Sequence, residues 1–139
     1  MGYLIEPPVQ AQIVTAKVTL RPADLLAPSI TDIPEYPATP NYYWQVLSMN
    51  GYINNGTTLY VGTSSVHIQA STALASQFRF SGAFMTDNIG TWGFSLMQTA
   101  LNNPIQFVDN DNLQIHNPSG FTLGDSNLTL YITAILIPS

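Results

Sequence analysis

The clearest alternation of apolar and polar positions lies near the C-terminus. One set of alternate positions is apolar throughout: Leu128, Leu130, Ile132, Ala134 and Leu136. The intervening set changes from polar to apolar along the chain: Thr129, Tyr131, Thr133, Ile135 and Ile137. A period of two predicts a β-strand. A strand that is apolar on both faces is usually covered on both sides, so we expect this strand to have one face in the core and the other in contact with a second surface.

Shorter segments with the composition of strands precede this one. They are rich in β-branched and aromatic residues and are separated by turn signals such as Asn54-Asn55-Gly56 and Asn117-Pro118-Ser119-Gly120. The predicted strands are 13–20, 42–49, 59–61, 65–69, 78–80, 105–108, 113–115 and 128–137, with 109–112 as a hairpin turn. The pattern predicts an all-β fold, a jelly-roll-like β-sandwich of about eight short antiparallel strands.

Three segments do not fit the strand pattern. Pro22–Leu26 predicts one helical turn, because proline is favoured at the start of a helix. Pro28–Pro40 contains four prolines without periodicity, which predicts a long irregular loop or a crossing between sheets. In Gly90–Leu101, the spacing of Phe94, Met97 and Leu101 suggests one short helix, with a loop excursion as the alternative.

The chain of 139 residues suits a single domain. Residues 1–12 are predicted to form an extended N-terminal arm, since Pro7 and Pro8 disfavour a helix, and residues 13–139 to form one β-sandwich domain. Such an arm either is disordered or lies on a neighbouring subunit. The N-terminus lacks the basic start and apolar run of a signal peptide, so we expect synthesis and release in a cytoplasm.

Charge is scarce in this sequence. Asp, Glu, Lys and Arg make up 8% of the chain, against about 25% in typical soluble domains. Charged residues are depleted at the centres of lasting interfaces, so self-assembly is favoured over the alternative of a merely neutral, hydroxyl-rich surface. The net charge of −5 argues against nucleic acid and anionic membrane surfaces as partners. No apolar run approaches the roughly 20 residues of a membrane span.

Candidate catalytic groups are few. His67 and His116 have no nucleophile elbow or comparable signature near them, and the sequence has no cysteine. Asp109 and Asp111 form the one close carboxylate pair, but turn chemistry explains them better than glycoside hydrolysis or calcium binding does. We therefore predict that the chain is not an enzyme and has no cofactor, catalytic residue or metal site.

Three consecutive aromatic residues offer a possible binding surface. Trp44 is predicted to fill the core, and a strand would place Tyr43 on the face opposite its neighbours. An exposed aromatic ring can stack on a sugar. Tyr42 and Tyr43 are therefore candidate ligand-facing residues for a host surface glycan.

The order of the segments resembles a broad group of small tailed-phage virion proteins with a jelly-roll fold, seen as head fibres, capsid decorations or tail-associated parts. The resemblance covers most of residues 13–137, and its most specific part is the turn Leu123-Gly124-Asp125-Ser126 before the last strand. The segments that carry it are Val18–Leu20, Ala23–Leu26, Asp32–Pro37, Tyr43–Leu47, Asn55–Tyr60, Asn102–Ile105, Leu113–Ile115 and Leu123–Ile132. Nothing in it matches residues 81–101.

The resemblance implies a structural role in a virion, with synthesis in the cytoplasm of a bacterial host. It also implies a homotrimer whose other partners are virion proteins of the capsid surface or a fibre. The expected subunit interface is the second face of the terminal strand, namely Tyr131, Thr133, Ile135 and Ile137. The alternative function is a carbohydrate- or receptor-binding jelly-roll module at a fibre tip.

Overall fold

The computed structural model describes residues 12–72, 76–80, 82–97 and 109–139. Its eight strands form two four-stranded antiparallel sheets that pack together, which confirms the predicted all-β sandwich. The predicted arm and the predicted strand 105–108 lie outside the described residues.

The two sheets differ in strand length. The long sheet has the order β1-β8-β3-β6, formed by β1 (Gln12–Leu20), β8 (Asn127–Pro138), β3 (Tyr42–Asn54) and β6 (Trp92–Met97). The short sheet has the order β2-β7-β4-β5, formed by β2 (Ser29–Asp32), β7 (Leu113–Asn117), β4 (Val66–Ala70) and β5 (Ser76–Phe80). The connections repeatedly cross between the sheets, as in a jelly roll. Two short helices, α1 (Pro22–Leu25) and α2 (Ala83–Asp87), lie in connections.

The terminal strand is central to the long sheet, as its apolar pattern requires. β8 pairs with β1 on one side and with β3 on the other. Its inward side chains Leu128, Leu130, Ile132 and Ala134 are fully buried in the core between the sheets. The predicted division of this strand into two faces is therefore confirmed.

The prediction for Gly90–Leu101 was wrong where the structure describes it. Residues 92–97 form strand β6, in which Phe94 and Leu96 pack against the core at strand spacing. Their partner is β3, which runs to Asn54 rather than ending at Met49. Gly51 allows this extension, because a Cβ there would lie 2.7 Å from Cζ of Phe94, whose ring fills the space. An aromatic residue opposite a glycine compensates for the missing side chain.

Two other segments also differ from the prediction. Residues 59–61 form a single bridge, between Val61 and Leu123, rather than a strand. The proline-rich segment crosses from the short sheet to the long sheet before β3, which confirms one of its two predicted alternatives, but it also contains strand β2, which was not predicted. Short strands at a sheet edge depend on their neighbours more than on their own sequence.

Tyr36 anchors this crossing segment in the core. The side chain is fully buried, and its ring lies 4.9 Å from that of Trp44, which is also buried as predicted. The Tyr36 hydroxyl lies 2.8 Å from the carbonyl oxygen of Val14 and 2.6 Å from that of Ile132 and shares its proton between them. Burial raises the pKa of this hydroxyl well above its usual value. The hydroxyl thus remains a neutral donor that joins the crossing segment to two neighbouring strands.

The turn before β8 is held by a carboxylate. Asp125 accepts hydrogen bonds from the backbone N–H groups of Thr57 and Thr58, both at 2.8 Å, and from the Thr57 hydroxyl at 2.7 Å. These bonds lower the pKa of Asp125. Gly124 has a φ of +123° and lies against the Tyr60 ring, which leaves no room for a side chain. The Leu-Gly-Asp-Ser sequence therefore joins two loops at one end of the sandwich.

Candidate functional site

The outer face of the long sheet is the first candidate surface, and we call it the long-sheet face. Its four strands contain one Asp, Glu, Lys or Arg residue, Lys17. Alternation places the following side chains on this face: Ile13, Thr15, Lys17 and Thr19 of β1; Thr129, Tyr131, Thr133, Ile135 and Ile137 of β8; Tyr43, Gln45, Ser48, Asn50 and Tyr52 of β3; and Ser95 of β6.

One end of the long-sheet face is apolar. Ile13 of β1 is directly opposite Ile135 of β8, and Tyr43 of β3 is directly opposite Ile137. Ile13 is 64% exposed, whereas Ile135 and Ile137 are half-buried. Cross-strand neighbours on one face lie close enough for their side chains to touch. The sheet therefore assembles four large side chains from three strands into one patch, which we call the isoleucine patch.

The rest of the long-sheet face consists mainly of uncharged polar groups. The hydroxyls of Thr15 and Thr133 lie 3.4 Å apart, and those of Thr19 and Thr129 lie 3.3 Å apart. Tyr131 stacks on Tyr52 with ring centroids 6.4 Å apart. These cross-strand contacts give part of the polar groups hydrogen-bond partners within the face itself, which lowers the free-energy cost of removing the face from water.

Nζ of Lys17 lies 5.8 Å from the centroid of the Tyr131 ring. A cation over an aromatic ring is partly stabilised by the ring's electrons. The single charge in the strands of this face is thus held against the surface, where it would be covered together with Tyr131.

The predicted residues fall on this face as a group, with one exception. Tyr131, Thr133, Ile135 and Ile137 lie on it together. Tyr43 joins them, whereas Tyr42 points to the opposite side of β3, the side on which Trp44 is buried. The two tyrosines therefore do not form one stacking platform. Sequence reasoning missed Ile13, because only the pairing of β1 with β8 places it beside Ile135.

The outer face of the short sheet has the opposite character. A row of directly paired residues crosses its four strands in the order Ile30, His116, His67 and Arg79, which we call the basic row. The imidazole centroids of His67 and His116 are 6.1 Å apart. Burial, and then the positive charges of Arg79 and His116, lower the pKa of His67. That the two histidines are neighbours could not be predicted from the sequence, because they belong to different strands.

Hydrogen bonds orient both imidazole rings of the basic row. Nε2 of His67 lies 2.6 Å from the Ser65 hydroxyl, and Nδ1 of His116 lies 3.2 Å from Oε1 of Gln69. Nε2 of Gln69 is buried and has no hydrogen-bond partner among the described residues. In the next row, Asp32 accepts hydrogen bonds from Gln114 at 2.8 Å and from Asn112 at 3.0 Å. The carboxylate of Asp32 is therefore hydrogen-bonded to side-chain amides rather than to the residues of the basic row.

A groove opens at the Arg79 end of the basic row. It has a volume of about 380 Å³ and is lined by Thr63, Ser64, Ser65, Arg79 and Gly82. The buried hydroxyl of Ser64 donates a hydrogen bond to Oδ1 of Asn117, which holds this loop on β7. The groove therefore combines one fixed cation with a wall of hydroxyl groups.

The two carboxylates considered for hydrolysis or calcium binding have separate partners. Asp111 is buried and accepts hydrogen bonds from the Ser71 hydroxyl, from the hydroxyl and N–H of Thr72, and from the N–H of Asn112. Asp109 accepts a hydrogen bond from the Ser139 hydroxyl at 3.1 Å. Asp111 thus fastens the loop after β4 to the start of β7, which agrees with a structural role.

In the described part of the chain, no three His, Asp, Glu or Cys side chains are grouped to hold a metal ion. Neither described helix is long and apolar enough to span a membrane. No protein-family model matches the chain, and no curated protein matches it.

Proposed function

We propose that this chain is a non-enzymatic structural component of a tailed-phage virion, on the capsid surface or a fibre, which assembles as a homotrimer through the long-sheet face. The observation that carries the proposal is the isoleucine patch beside a ladder of paired hydroxyls, in strands that contain a single charge. The virion and the threefold symmetry come from the resemblance described above. Other virion proteins are its expected further partners.

The composition of the long-sheet face suits a lasting interface. Covering the isoleucine patch removes apolar surface from water, which contributes about 25 cal/mol per Å². Removing water from charged groups is the largest cost of covering a surface. In the strands of the long-sheet face only Lys17 would incur this cost. The arrangement therefore favours association with a second uncharged surface, and an identical subunit supplies one.

A matched pair of substitutions tests the proposal. Ile13 on the long-sheet face and Ile30 on the short sheet are both exposed strand residues, at 64% and 57%. We expect light scattering at micromolar concentration to give three times the 15.2 kDa chain mass for the wild type and for Ile30→Asp, but a lower mass for Ile13→Asp. A monomeric wild type, or equal effects of the two substitutions, would contradict the proposal.

The alternative of a sugar-binding module at a fibre tip receives no support from Tyr42 and Tyr43, because they lie on opposite sides of β3. The groove of the short sheet is a different candidate for a sugar-binding site.

A further inference from the structure

Basic side chains are concentrated on one surface of this acidic protein. The chain has five basic side chains, counting the histidines, and three of them stand consecutively in the basic row: His116, His67 and Arg79. Near neutral pH Arg79 is the fixed cation of this row, because the lowered pKa of His67 keeps its imidazole uncharged. An exposed arginine that lines a groove is a suitable binding group for an anion.

The described residues do not supply that opposite charge. Arg79 has no ion-pair partner among them, and its one electrostatic neighbour there is His67. Asp32, in the next row, is engaged by Gln114 and Asn112. Arg79 is exposed and lines the groove. Its guanidinium has five hydrogen-bond donors and no acceptor, so an anion that enters the groove is a suitable partner for it.

The lining of the groove narrows the class of anion. Arginine binds carboxylates and phosphates through two parallel hydrogen bonds. The rest of the wall is formed by Thr63, Ser64 and Ser65, whose hydroxyl or backbone groups suit a ligand with its own hydroxyls. A volume of about 380 Å³ lies within the range of small-molecule sites. The net charge of −5 disfavours densely charged phosphate polymers.

We propose that this groove binds an acidic saccharide, with the sugar carboxylate on Arg79 and the ring hydroxyls on the Thr63–Ser65 wall. His67 and His116 continue the basic row from Arg79 along the short sheet. The site is on the sheet opposite the long-sheet face, so it does not depend on the proposed assembly.

Titration calorimetry with glucuronate on the full chain tests this site, with glucose and inorganic phosphate as comparison ligands. We expect glucuronate to bind, and glucose and phosphate to bind at least about tenfold more weakly, because only glucuronate has both a carboxylate and ring hydroxyls. Equal binding of phosphate and glucuronate would overturn the proposal in favour of a general anion site. Absence of glucuronate binding would also overturn it.

Two matched substitutions test whether glucuronate binds in the groove. Arg79→Gln should weaken glucuronate binding about tenfold or more, whereas Arg21→Gln removes the same charge next to α1 and should leave it unchanged. Equal effects of the two would show that net charge alone matters and would overturn the site. In the wild type, the NMR signals of the His67 ring should move when glucuronate is added, and no movement would place the ligand elsewhere. Circular dichroism of unliganded Arg79→Gln shows whether this variant has kept its strands.

Discussion

The outer faces of the two sheets share one core but differ in chemistry. The long-sheet face has paired threonines, tyrosines and the isoleucine patch, with Lys17 as the charge in its strands. The short sheet presents the basic row and a polar groove. Two isoleucines of similar exposure have different surroundings on the two faces, since Ile13 is opposite Ile135 whereas Ile30 is opposite His116. Our two proposals accordingly assign lasting contact to the long-sheet face and a soluble ligand to the short sheet.

The largest expected effect comes from Ile135→Asp, which places a carboxylate at the centre of the isoleucine patch. If this patch is buried between subunits, the unpaired charge costs several kcal/mol per subunit and the oligomer should dissociate completely. Sedimentation velocity measures the mass, and circular dichroism checks that the strands persist. An oligomer of unchanged mass would remove the distinction between the two faces.

The second prediction distinguishes the stability of the core from assembly through the long-sheet face. Tyr36→Phe keeps the buried ring but leaves the carbonyl oxygens of Val14 and Ile132 without this donor. We expect the free energy of unfolding to fall by about 1–3 kcal/mol. The subunit number should not change, because Tyr36 does not reach the long-sheet face. Chemical denaturation measures the first quantity and light scattering the second, and loss of the oligomer without loss of stability would contradict the assignment.

The third prediction concerns the pH dependence of the basic row. The pKa of His67 is lowered from 6.5 in the folded chain, so the unfolded chain binds this proton first as the pH falls. The stability contribution is therefore present above about pH 6.5 and is lost as the pH falls through the lower folded pKa. NMR titration should show a higher pKa for His67 in Arg79→Gln and no change in Lys17→Gln. If the pKa of His67 is the same in Arg79→Gln as in the wild type, the charge of Arg79 does not act on this histidine and the prediction is wrong.

The smallest expected effect is that of Lys17 on assembly. Covering Lys17 with Tyr131 removes water from a charge, which the ring offsets only in part. Lys17→Met should therefore tighten the oligomer slightly, by less than about tenfold in the dissociation constant. Dilution experiments followed by light scattering measure this. Weaker assembly would mean that Lys17 has an acidic partner across the interface.

Local patterns in the sequence predicted a good part of the fold. The alternation in β8, the β-branched run in β1 and the turn at Asn54–Gly56 follow from the period of a strand and the preferences of turn residues. Strand β6 could not be predicted in this way, because Phe94 fills the space over Gly51 of β3 and Gly93 lies against the Gly51 carbonyl oxygen, and both contacts exist only once the strands pair. The spacing of Phe94 and Met97 therefore gave the wrong local interpretation.

The candidate surfaces were predictable only in part. Tyr131, Thr133, Ile135 and Ile137 share a face because successive residues of one strand alternate, which is a local property. Ile13 and Tyr43 join them through pairings that span most of the chain. The basic row was not predictable, since His67, Arg79 and His116 belong to three different strands.

The sequence by itself determined the class of fold, the two faces of the terminal strand and the scarcity of charge, because these depend on composition and on the period of two. Only the tertiary structure decided which strands are neighbours, and therefore which side chains meet. Lateral pairing depends on how all the strands bury their apolar faces together, so no single segment contains it. That is why the isoleucine patch and the basic row were found only in the folded chain.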